Sequence, residues 1–144
     1  MTSVHVVLGV AMVVSSAVAG LWGAWCWYRV EPSELFWKLL RFSQAVILLG
    51  ALQGGVLLTL GRDVDGLHLL YGVLPIAVSS IGEQLRIAAA ETVLEARGIE
   101  GAAAVGELPE AEQRSVVLSI VRREIGVMTA CALVAVVLGL RAWG

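Results

Sequence analysis

Apolar residues fill four long runs of this chain, and most charged residues lie in the breaks between them, two short and one long. The runs cover approximately residues 4–27, 36–60, 67–86 and 122–143. About 20 helical residues cross the roughly 30 Å hydrocarbon core of a bilayer, and each run is about that long. None alternates with period two, as a strand of a membrane barrel would. A backbone deprived of water must satisfy its own hydrogen bonds. The pattern therefore predicts an all-α protein, a four-transmembrane-helix bundle, with residues 1–144 forming one integral membrane domain.

The breaks sharpen this picture. In "YRVEPSELF", Pro32 stops the first helix and Ser33 is the expected N-cap of the second. "GRDVDG" is a second short turn with Asp65 as the expected N-cap of the third. The third link, about residues 83–124, is too polar for lipid, yet it is rich in Ala, Glu, Leu and Arg, which favour helix. Gly98 and Gly101 are expected to stop one helix and Pro109 to restart another. Helices three and four are thus expected to leave the membrane and continue as a cytoplasmic helical hairpin.

Composition agrees. The chain is 58% hydrophobic and 15% charged, against about 45–50% and about 25% in soluble domains. A net charge of −2 gives no case for nucleic acid. The two cysteines, Cys26 and Cys131, have neither zinc-site nor redox spacing. The first run lacks the basic flank of a signal peptide and is read as retained. Positive charge sets orientation. Arg29, Lys38, Arg41, Arg86, Arg97, Arg114, Arg122 and Arg123 lie beside the first turn and the hairpin, whereas only Arg62 and Arg141 lie on the other side. The expectation is a bacterial inner-membrane protein with the hairpin in the cytoplasm and both termini outside.

Residues three and four apart share a helix face. On helix three such a stripe is His68, Tyr71, Pro75, Ser79, Gly82 and Arg86. On helix one it is His5, Gly9, Met12, Ser16, Gly20 and Gly23. Helix two has Gly50 and Gly54 with Gln53 beside them, and helix four has Cys131, Ala135 and Gly139. Small residues of this kind form the packing seams of membrane bundles.

The two histidines of the chain, His5 and His68, each begin a span at its outer end. Helices one and three both run inward, so the rings lie at one depth. A pair of imidazoles across a bundle is a ligand set for one metal centre, and haem b is the usual occupant. Arg62 and Arg141, at the same level, are suited to propionates, Tyr71 lies one turn below His68, and Asp65 is the candidate acceptor for the second ring nitrogen of His68. Two other readings stay open: interfacial histidines that meet only water or a carbonyl, and a different metal or proton role. At the inner end, Glu83, Arg86, Arg122, Arg123 and Glu124 are expected to form an ion-pair cluster, since charges at this depth are costly unless paired or wet. No nucleophile, P-loop or metalloprotease motif occurs. No span carries a mid-membrane acid, which weighs against a transporter.

"GLHLLYG" entering helix three, a histidine near the start of helix one and an arginine closing helix four resemble a class of small four-helix bacterial membrane proteins. That resemblance implies a fold and no activity. The layout is also similar to half-bundles of haem A synthase and cytochrome b561, which implies b-haem binding for electron transfer or haem handling. The competing expectation is a non-catalytic accessory or assembly subunit whose hairpin docks a protein partner.

Overall fold

In the computed structural model, residues 2–143 are described, Thr2 by its backbone alone. Five helices follow in order: α1 (Thr2–Arg29), α2 (Glu34–Thr59), α3 (Gly66–Ala96), α4 (Ala102–Val105) and α5 (Glu110–Arg141). No strand occurs among the described residues. Four of the helices, α1, α2, α3 and α5, are long and apolar enough to cross a membrane. The unforeseen element is α4, a single turn in the Ala-rich tip.

The turns form where their residues dictate. The Ser33 hydroxyl accepts the Phe36 amide at 3.2 Å and so caps α2. The same oxygen accepts the Trp22 indole N–H at 3.1 Å, tying the turn back to α1. Asp65 occupies the N-cap position of α3, but its side chain makes no capping bond. Gly98 and Gly101 have φ of 65° and 87°, a region open to glycine and costly for most other residues. They end α3 and let the chain reverse.

The core is built on α1 and α5. Ala19, Cys26, Phe36, Leu40, Ile125, Met128 and Ala132 are buried together. Glycines bring the two helices close. A Cβ on Gly20 would lie 2.6 Å from Leu133 Cδ2, and one on Gly126 would lie 2.8 Å from the Trp27 indole nitrogen. The expected stripes therefore do face inward: Ser16, Gly20 and Gly23 of α1, Pro75 and Gly82 of α3, and Ala135 and Gly139 of α5 are buried. Ser16 and Ser43 share a buried hydrogen bond of 2.7 Å that joins α1 to α2. By contrast, α2 and α3 pack loosely against one another.

Large apolar side chains cover the outside of the bundle. Leu21, Leu52 and Val137 are each about 60% exposed or more (68%, 59% and 60%). Such a surface exceeds what a soluble monomer displays and is what hydrocarbon would cover.

At one end α3 and α5 outrun the other two helices. Trp27, near the end of α1, lies against Gly126, whereas Arg97 of α3 reaches Ser115 and Ser119 of α5. From Arg86 to Ala96, α3 rises roughly 15 Å.

Candidate functional site

Each of the four long helices brings one polar group to the end of the bundle where α1 and α3 begin. His5 comes from the first turns of α1, Gln53 from α2, His68 from the start of α3, and the carbonyl of Ala142 from the C-cap of α5. The two Nε2 atoms face one another at 3.5 Å, with ring centroids 5.8 Å apart and planes inclined at 54°. His68 Nδ1 lies 2.8 Å from Ala142 O. His5 Nδ1 lies 2.6 Å from Gln53 Oε1. Gly54 lies beside the His5 ring: a Cβ there would be 3.5 Å from His5 Cε1, an ordinary contact.

These contacts fix the chemistry of the gap. A carbonyl can only accept, so His68 Nδ1 carries the hydrogen and Nε2 presents a lone pair. With the Gln53 oxygen towards His5, the same holds for His5. Two lone pairs then oppose one another, an arrangement that calls for a positive charge between them. A proton supplies it as an imidazolium–imidazole pair; a metal ion supplies it as a bridged pair. With the Gln53 amide turned, its NH₂ donates to His5 Nδ1, and His5 Nε2–H donates to His68.

The surroundings differ from the expected ones. The partner of His68 Nδ1 is Ala142 O, and Asp65, the expected partner, is exposed. Arg62 and Arg141 are exposed at this end and form no ion pair among the described residues. Tyr71 is half-buried on the same helix as His68. No group of three or more His, Cys, Asp or Glu side chains is placed to hold a metal among the described residues. The protein thus offers two imidazole ligands. The contribution of Gln53 was not foreseen, although a lone amide in an apolar span is itself a signal. The Ala142 carbonyl, a backbone group, has no signature in the sequence.

Towards the other end, a charged cluster links α2, α3 and α5. Glu83 accepts two bonds from Arg41, at 2.5 and 3.2 Å, one from Gln44 at 3.1 Å and one from Arg86 Nε at 3.1 Å. Arg86 also lies 3.8 Å from Glu124 and stacks over Trp37. Of the five residues expected here, Glu83, Arg86 and Glu124 come together, joined by Arg41 and Gln44. Arg122 instead lies over the Trp27 ring, 5.4 Å from its centroid, and Arg123 is exposed. Two polar clusters thus link the loosely packed α2 and α3 at either end.

Beside this cluster is an open groove of about 950 Å³ over one side of α5, walled by the end of α1 and the last turns of α3. Thr129, on that side of α5, has a buried hydroxyl without a hydrogen-bond partner. Comparison with protein-family models, curated proteins and solved structures finds no match. The functional reading therefore rests on the residues themselves.

Proposed function

We propose that the chain is a multi-pass membrane protein whose centre is a metal held between His5 and His68 near the outer face. One observation carries this reading: the two Nε2 atoms oppose one another at 3.5 Å while both Nδ1 atoms are engaged elsewhere. Metal-bound imidazoles are held in this way, with the second ring nitrogen tied to a carbonyl or similar acceptor. Imidazole suits zinc, copper, iron and nickel.

A bare divalent ion asks less movement of the rings than a b-type haem, but the rings stand head-on and must tilt before both lone pairs converge on one ion. Metal–imidazole bonds of about 2.0–2.1 Å place two nitrogens about 3.3–3.4 Å apart at a tetrahedral angle, and about 4.0–4.2 Å apart in trans. A haem would require the rings to part and admit a porphyrin between them; Arg62, Arg141 and Tyr71 would have their expected roles only then. With two protein ligands, one fewer than catalytic zinc sites supply, the other positions of a bare ion are open to water or an external ligand. Such an ion is exchangeable, which suits metal handling. The charge bias supports an orientation with both termini outside and the α3–α5 hairpin in the cytoplasm, and with it residence in a bacterial inner membrane.

The test is metal analysis together with the visible spectrum of protein purified without chelators. About one divalent ion per chain, lost in both His5→Ala and His68→Ala, is expected. A Soret band that depends on both histidines would select the haem instead. Absence of both ion and haem would sink the proposal.

A second reading is supported by the length of α3 and α5 beyond α1. As an accessory subunit, the protein would dock a cytoplasmic partner on this projection. Replacing residues 99–108 by a short Gly/Ser turn should then release the partner and leave the histidine pair intact.

A further inference from the structure

The groove beside α5 has a chemical gradient along its length. At the hairpin end it is lined by Arg97, Arg122 and Arg123; towards the middle of the bundle it is lined by Ala24, Ala130 and Leu133. From Ser119 to Leu133, both in its lining, α5 rises roughly 21 Å. No carboxylate lines the groove. Among the described residues no carboxylate pairs with these three arginines, and Glu83 and Glu124 of the neighbouring cluster are engaged by Arg41 and Arg86. Arg97 is steadied by two serine hydroxyls at 3.1 and 2.9 Å, and Arg122 by the face of Trp27. These contacts aim the guanidinium groups without neutralising them. Guanidinium presents a rigid fork of donors that matches phosphate oxygens.

We infer that this groove binds one anionic phospholipid of the inner leaflet, its phosphate on Arg97, Arg122 and Arg123 and an acyl chain along Ala24, Ala130 and Leu133. The charged end lies where α1 ends and the hairpin emerges, the level at which headgroups lie if α1 spans the bilayer. Basic pockets between membrane helices on the cytoplasmic side recognise anionic headgroups in this manner. The volume lies within the range of ligand pockets. A soluble phosphate would use only the arginines; the apolar continuation argues for a lipid. The inference is independent of the histidine centre at the opposite end.

The experiment is native mass spectrometry of delipidated, detergent-purified protein with added phosphatidylglycerol or phosphatidylcholine, alongside thermal unfolding. One phosphatidylglycerol per chain should be retained and should raise the unfolding midpoint; phosphatidylcholine should do neither. The double variant Arg122→Gln, Arg123→Gln should retain at least tenfold less phosphatidylglycerol, and Arg114→Gln, whose arginine is outside the groove, should behave as wild type. Ala130→Phe keeps every charge but blocks the apolar stretch, and should also lose the lipid. Equal retention of the two lipids, or unchanged retention in the double variant or in Ala130→Phe, would overturn the inference. So would equal stabilisation by inorganic phosphate alone, which would make the groove a soluble-anion site.

Discussion

His68 donates its Nδ1 hydrogen to the carbonyl of Ala142 at 2.8 Å, so the end of α5 dictates which nitrogen of an α3 ring is left to act. Nε2 is left as an acceptor, and it points at His5. With its oxygen towards the ring, Gln53 performs the same service for His5 from α2. The pair is thus held by the two helices to which neither ring belongs.

The role of Gln53 is testable without removing a ligand. Gln53→Leu should weaken divalent-metal binding about 10–100-fold, the usual cost of losing a partner of a ligating histidine. Gln53→Glu, which keeps an acceptor on Nδ1, should restore most of it. Competition titrations against a coloured chelator measure both. Equal affinities for the Leu variant and wild type would remove Gln53 from the account.

The Arg41–Glu83 contact predicts a measurable coupling. The Glu83 side chain is 25% exposed and that of Arg41 51%, so the pair lies between the two usual regimes. Exposed pairs contribute about 0–1 kcal/mol, whereas breaking a buried pair from one side costs about 3–5 kcal/mol. Glu83→Gln should lower stability in detergent by more than Arg41→Gln, since it strips two arginines of a carboxylate. A double-mutant cycle should show non-additivity; strict additivity would mean that the bidentate contact contributes nothing.

The α1–α5 seam should be intolerant of single methyl groups. A Cβ on Gly23 would lie within 3.0 Å of Phe36 Cδ2 and collide with Thr129. Gly23→Ala should therefore destabilise by about 1–3 kcal/mol, as overpacking does. A Cβ on Gly72 meets nothing within 4 Å, and Gly72→Ala should be neutral or gain a few tenths of a kcal/mol from helix propensity, roughly. Unfolding titrations of the two variants side by side provide the comparison.

The helices were legible because their cause is local. Apolar length and terminating residues such as Ser33, Gly98 and Gly101 act within a few positions of themselves. The meeting of His5 and His68 was legible as well, because two helices that start at the same end bring their first turns to one level. The small-residue stripes gave the inward faces, but not which side chains meet across them. The packing turns Arg41 and Gln44 towards Glu83 and sends Arg122 to Trp27. It also delivers Ala142 O rather than the Asp65 carboxylate to His68.

Orientation follows from charge and has a direct assay. In a background with Cys26 and Cys131 replaced, single cysteines at Ser3 and Gly106 should label from opposite sides of the membrane, Ser3 from outside. Labelling from the same side would refute the span count, and exchanged sides would refute the orientation.

The central claim is that a metal ion lies between His5 and His68, and Co²⁺ titration of the metal-stripped protein tests it most directly. The account predicts saturation at one ion per chain, with the intense visible bands of a tetrahedral site, abolished in His5→Ala and in His68→Ala at unchanged helicity. Bands that persist in both variants, or no saturable binding by the folded wild-type protein, would contradict it.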